Sequence, residues 1–144
     1  MDKEPHAMIS IHSDYAKSIV RGVKTVELRR RFMALPNGSR LWIYSTLPVG
    51  ALVATAVVAG IDCDKPENLW NRYQSEAAVS KQAFFDYFLG CKRGAAIRLT
   101  DVEEICPVPL SRIRSIRGVN HIPQVATRLS SLEARRFEEI GCGL

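Results

Sequence analysis

The residues best suited to chemistry lie close together near the start of the chain, in Gly22-Val23-Lys24-Thr25-Val26-Glu27-Leu28-Arg29, followed by Arg30 and Arg31. Strand side chains alternate between two faces. That period puts Thr25, Glu27, Arg29 and Arg31 on one side and Val26 and Leu28 on the other. Lys24 sits at the joint between a preceding helical segment and this strand. An ammonium there can meet a phosphate as a point charge. It can also act as a base if burial or nearby cations lower its pKa. Glu27 can accept from a base edge or move a proton, or it can pair with Arg29 or Arg31 and orient them. Arg29 carries a planar fork that matches phosphate or carboxylate. The plain alternative is an exposed edge strand with solvated charges, and the sequence leaves both open.

Further candidates follow on the strand Arg40–Thr46. Tyr44 and Trp42 offer faces on which a base can stack, although both sides of this strand are largely apolar and Trp42 reads as core. Ser45 and Thr46 supply hydroxyls, as donors or as a nucleophile that would need a base in reach. His12 and His121 stand singly, and Cys63, Cys91, Cys106 and Cys142 form no CxxC pair, so neither a metal site nor a cofactor is expected. A glycine-rich phosphate loop is absent.

These residues must be positioned by a chain of 144 residues, which suits a single domain over 1–144 with a genuine core. The formal charge of +5 and pI near 9.2 favour anionic partners, namely RNA, a nucleoside or a nucleotide. The longest apolar run, Ala51 to Ile61, is too short for a membrane span and reads as a buried strand, so no membrane partner is expected. Met1 to Ala7 is short and polar, without a leader pattern; residues 1–7 read as a tail and the chain as cytoplasmic with reduced thiols.

Along the chain, Met8–His12 reads as a first strand, and Ser13 or Asp14 as the cap of a helix carrying Tyr15, Ala16, Ile19 and Val20. Gly22 ends that helix and the strand Thr25–Arg30 follows. Pro36-Asn37-Gly38 is a turn. Arg40–Thr46 and Ala51–Ala59 are strands, separated by Pro48. Asp62–Gln74 reads as a loop plus a short helix anchored by Trp70 and Tyr73. Ser80 caps a helix over Lys81–Leu89, whose i,i+4 pairs Phe84/Phe88, Phe85/Leu89 and Ala83/Tyr87 read as packing. A long strand, Gly94–Ile105, turns Ala95, Ile97 and Leu99 inward and Arg98 and Thr100 outward. Pro107 and Pro109 keep Cys106–Leu110 extended. Arg112, Arg114 and Arg117 form a basic patch, Pro123-Gln124 opens a helical turn, and a last helix over Ser130–Ile140 carries the stripe Leu129, Leu132, Phe137 and Ile140. The fold class is α+β: five or six strands in a closed or partly closed small β-barrel, with inserted and C-terminal helices.

This order of elements, with Ile9-Ser10-Ile11, Tyr15-Ala16, Gly22-x-Lys24-x-x-Glu27-x-Arg29, Tyr44-Ser45-Thr46-x-Pro48, Phe85-x-Tyr87-Phe88 and Pro123-Gln124, resembles the ASCH domain, a branch of the PUA-like β-barrels that also holds the EVE and YTH modules. The likeness spans about Met8 to Leu129. It implies a small barrel with a cleft beside the GxKxxExR motif. It also implies RNA recognition and, in some members, hydrolysis of RNA or of acylated cytidine nucleosides. Carried over by position, Lys24, Glu27 and Arg29 would face the cleft, Ser45 and Thr46 would form its wall, and Ser10 and Gln124 would close it. Two positions depart from the pattern: His12 stands where members often carry lysine, and Glu27 where the nucleoside amidohydrolases carry threonine. The expected function is RNA or nucleotide binding with a base or nucleoside in the cleft. Arg21, Arg30, Arg31, Arg112, Arg114 and Arg117 would then contact phosphates. The alternative is a metal-independent hydrolase, a ribonuclease or modified-nucleoside amidohydrolase, using Lys24 and Glu27. An interaction domain docking through the last helix is a third reading.

Overall fold

The computed structural model describes residues 5–119 and 126–141. The chain runs β1 (His6–Ile11), α1 (Ser13–Val20), β2 (Val26–Arg29), β3 (Arg40–Ser45), β4 (Ala51–Asp64), α2 (Pro66–Tyr73), α3 (Lys81–Tyr87), β5 (Gly94–Pro109), α4 (Leu110–Arg117), β6 (Thr127–Leu129) and α5 (Ser131–Gly141). The fold is α+β. A six-stranded mixed sheet has the order β2-β5-β4-β3-β1-β6. Among the described residues, β1 and β3 pair in parallel and the other ladders are antiparallel.

The expected barrel closure is not found. β2 and β6 stand at the two ends of the sheet, with no ladder between them among the described residues. β3 takes one edge of β1 along its whole length, and β6 takes the other at His6–Met8. At the remaining end of β1 the contact from β2 is made by the Arg29 side chain on Ser10 O, not by a backbone ladder. The curl comes from the long strands: β4 and β5 shift register at three places along their ladder, and such bulges bend and twist a sheet.

Several elements extend beyond their expected bounds. β1 starts at His6, so His6 and Ala7 belong to the sheet, both buried. β4 continues to Asp64 and β5 to Pro109. After Pro109 the chain turns directly into α4, a helix that the proline-rich stretch concealed; Gly118, at φ +68°, ends it. The cap of α1 is His12, not Ser13 or Asp14: its Nδ1 accepts from the Asp14 N–H at 3.2 Å. Ser80 does cap α3, accepting from Ala83 N–H. On α5, Ala134 and Phe137 are buried, but Leu132 points out and leaves the expected stripe.

Three apolar clusters hold the sheet. One packs α1 against the inward residues of β1, β3, β4 and β5. A second sets α4 and α5 on the opposite face, around Met8, Trp42, Tyr44 and Phe137. The third joins Val26 and Leu28 of β2 and Ala96 of β5 to Leu69, Phe84 and Phe88 of α2 and α3. This third cluster explains why Ala96 is buried along with Ala95 and Ile97: the α2–α3 pair covers the other face of β5. It also fixes β2, and with it the motif.

Candidate functional site

The local path of Lys24 begins at Gly22, whose φ of +78° lets the chain leave α1 abruptly. The N–H groups of Val23 and Lys24 then both donate to Ser18 O, and those of Thr25 and Val26 to Glu76 O. This tight lacing turns the Lys24 side chain inward, leaving it 1% exposed. Its Nζ donates to Ala77 O at 2.6 Å, lies 3.8 Å from Glu27 Oε1 and sits 4.9 Å from the centroid of the Tyr15 ring. Burial strips water from the ammonium and pulls its pKa below the usual lysine range. Glu27 opposes that shift, and the Arg29 charge adds to it.

Glu27 is buried between two cations. Its Oε2 accepts from Arg29 Nε at 3.2 Å, with Arg29 Nη2 at 3.1 Å. Arg29 Nη2 also donates to Ser10 O on β1. The motif arginine is therefore the side-chain bridge across the gap in the sheet. The orienting ion pair read from the alternation is present, with Arg29 as its partner. β2 pairs antiparallel with β5, Glu27 opposite Ile97 and Leu28 opposite Ala96, and this ladder sets the position of the carboxylate.

These groups line a cavity of about 210 Å³. Ser10, His12, Lys24, Glu27 and Arg29 supply its polar wall. The sequence reading missed the other half, which is apolar and aromatic: Tyr15 from α1 and Val79, Ala83, Phe84 and Tyr87 from α3 and the turn before it. The pair Ala83/Tyr87 read as packing because the Phe84/Phe88 pair beside it is core. One signal did exist: small Ala83 leaves open space next to a tyrosine that carries a polar tip. Tyr87 is held by Arg30, whose backbone N–H donates to the phenol oxygen at 3.2 Å and whose Nε donates to Tyr87 O at 2.6 Å. The Arg30 guanidinium lies 4.9 Å from the ring centroid. His12 Nδ1 is taken by the helix cap, which leaves Nε2 as the donor of the neutral ring.

The other expected residues lie elsewhere. Arg31 is exposed and lines an adjoining groove. Ser45 lines a separate groove on the far side of α1, with Ala16, Lys17 and Arg21. Thr46 is half-buried, its N–H donating to Ile11 O. Tyr44 is 5% exposed within the α4–α5 cluster, and burial raises its pKa. Arg112, Arg114 and Arg117 belong to α4, where Arg117 pairs with Glu133 of α5 at 3.1 Å. Gln124 lies outside the described residues. Among the described residues there is no group of three or more His, Cys, Asp or Glu side chains placed to hold a metal ion, and no helix is long and apolar enough to cross a membrane.

Comparison with known proteins places this geometry in a family. A curated protein of Zymomonas mobilis named "ASCH domain-containing ribonuclease" is 38% identical over 131 residues, 91% of this chain and 88% of that protein. The crystal structure of ASCH from Zymomonas mobilis superposes with a TM-score of 0.90 at 36% identity, covering 94% of each chain. The fold alone is shared with the human THYN1 protein, solved in complex with 5-methylcytosine-containing DNA. That match has a TM-score of 0.58 at 5% identity over 93% of this chain and 95% of that one. The ASCH domain family matches residues 9–108, which span the Lys24–Glu27–Arg29 group and both walls of its cavity, and the chain belongs to that family.

Proposed function

We propose that this chain binds single-stranded RNA and holds one unpaired base or nucleoside in the cavity beside Lys24, Glu27 and Arg29. The observation that carries the reading is the pairing of two unlike walls in one small space: ionic groups fixed by β2, and aromatic groups from α1 and α3. At about 210 Å³ the space is below the roughly 300–1,000 Å³ of drug-sized sites, which suits one base rather than several nucleotides. Unpaired RNA bases can be splayed out, stacked on aromatic rings and hydrogen-bonded at their edges. Tyr15 and Tyr87 provide the rings, and the Glu27 carboxylate and Arg29 guanidinium provide acceptor and donors. The relative named as a ribonuclease supports RNA as the ligand class.

A second reading, metal-independent RNA hydrolysis, is favoured by that relative's name and by the lowered pKa of Lys24. A neutral Lys24 amine, with Glu27 beside it to pass the proton on, would take the proton of a ribose 2′-hydroxyl. The 2′ oxygen would attack phosphorus and the bond to the 5′ oxygen would break. That oxygen leaves as a hydroxyl after gaining a proton, giving a 2′,3′-cyclic phosphate. Glu27 in the amidohydrolases' threonine position argues against acylated nucleosides as substrates.

The test is RNA binding and cleavage with chelator present, for wild type, Lys24→Met and Glu27→Gln. Salt-dependent binding that both variants weaken, without cleavage, supports the binding reading. Cleavage lost by about 10²–10⁴-fold in folded Lys24→Met supports the hydrolase. Binding that is absent at low salt, or unmoved by salt and by both variants, sinks the first reading. Cleavage equal to wild type in Lys24→Met sinks the second.

A further inference from the structure

The cavity has a basic continuation. Arg29 and Tyr87, which line it, also line a groove of about 700 Å³ with Arg30, Arg31, Lys92 and Arg93. Five cationic side chains thus flank one groove, and no carboxylate lines it among the described residues. Three of the five are held in place, Arg29 by Glu27 and Ser10 O as described above. Arg30 is fixed on Tyr87 by a hydrogen bond and ring contact. Arg93 Nη2 donates to Cys63 O at 2.8 Å. The groove is built from two separate pieces of chain, the residues after β2 and the turn Gly90–Arg93 between α3 and β5. The long β5 ladder, with Arg29 opposite Ala95, is what brings them side by side. Lys92 and Arg93 come from a turn that carries no motif.

We infer that this groove is the track for the phosphate backbone next to the cavity, so that the ligand is an oligonucleotide strand rather than a free nucleoside or mononucleotide. The inference rests on the reading of the cavity as a base site. A strand with one base in the cavity must leave it with its phosphates, and the shared Arg29 and Tyr87 put the exit in the groove. Fixed guanidiniums suit phosphate oxygens there. Single-strand binding tracks a positive groove in this way, with bases stacked beside it. The other arginine-rich surface, Arg112, Arg135 and Arg136 on α4 and α5, adjoins no part of the cavity and is broken by Glu139.

The experiment compares a mixed-sequence RNA hexamer with the four nucleoside 5′-monophosphates, by titration at several salt concentrations. Wild type, Lys92→Gln/Arg93→Gln and the control Arg112→Gln/Arg135→Gln are measured, together with Glu27→Gln. The expected result is a hexamer affinity at least about tenfold above that of any monophosphate. The Lys92/Arg93 variant should remove most of that difference and lower the salt slope by about 1.4, roughly 0.7 per lost phosphate contact on a single strand. Its monophosphate affinity should stay as in wild type, and the α4–α5 control should bind the hexamer within twofold of wild type. The inference falls if the groove variant binds the hexamer as wild type does. It falls equally if the control loses as much, or if the hexamer binds no tighter than a monophosphate. Failure of the cavity reading looks different: hexamer binding sensitive to Lys92/Arg93 but untouched by Glu27→Gln, with no monophosphate bound.

Discussion

Lys24 is the residue on which the site turns, and its chemistry follows from what surrounds Nζ. One carbonyl accepts from it, one aromatic ring lies over it and one carboxylate sits at 3.8 Å. Desolvation outweighs these partners and lowers its pKa from 10.5. The sign of the resulting pH dependence is fixed. Between the lowered folded value and 10.5 the unfolded chain binds more protons than the folded one, so the Lys24 contribution to stability rises with pH across that window. Urea unfolding of wild type and Lys24→Met from neutral pH to 10.5 should therefore show wild type gaining on the variant. Parallel curves would refute the buried-charge account. The residue types were legible in the sequence, and so was an ion pair of Glu27 with Arg29 or Arg31, since alternate residues on a strand share a face; the structure chose Arg29. The burial of Lys24 was not legible, because the carbonyl that receives it, Ala77 O, is 53 residues away.

At the scale of elements, α3 decides whether the motif has a cavity to face. Its Phe84 and Phe88 enter the core and thereby turn Ala83 and Tyr87 toward Glu27. Gly94 makes this seating possible: a Cβ there would lie 2.3 Å from a ring carbon of Phe88. Gly94→Ala should overpack the site, cost about 1–3 kcal/mol and displace Phe88, whose ring is 4.9 Å from Phe84 and 5.0 Å from Tyr87. The measurements are the urea midpoint and the hexamer affinity, both of which should fall. An unchanged affinity at full folding would mean that Phe88 does not support the aromatic wall. The sequence marked α3 correctly through Ser80 and its i,i+4 aromatics. It marked α4 as a basic patch only, because the prolines before it suggested continued extension while the helix begins one residue after Pro109.

For the whole molecule, the site and the C-terminal helices occupy different clusters. Phe137 is fully buried against Trp42, ring centroids 5.7 Å apart, in the α4–α5 cluster that contains no cavity residue. Phe137→Ala should cost about 3–5 kcal/mol and lower thermal stability, while RNA binding measured well below the transition stays near that of wild type. Binding lost in the folded variant would reveal coupling between the two faces.

The sequence by itself determined the α+β class, the order of most elements, the family and the chemical character of the motif. The class, the elements and the character of the motif depend on local period, caps and turn residues, which act between neighbours in the chain; the family came as a resemblance carried by motifs such as GxKxxExR. Tertiary structure alone decided that, among the described residues, no ladder joins β2 to β1 or β6 and the sheet stays open. It also decided that Arg29 spans the remaining gap, that Tyr44 and Ser45 face away from Lys24, and that Lys92 and Arg93 come to lie beside Arg30 and Arg31. Each of these is a contact between residues far apart in sequence, fixed by strand register and helix packing rather than by any local preference.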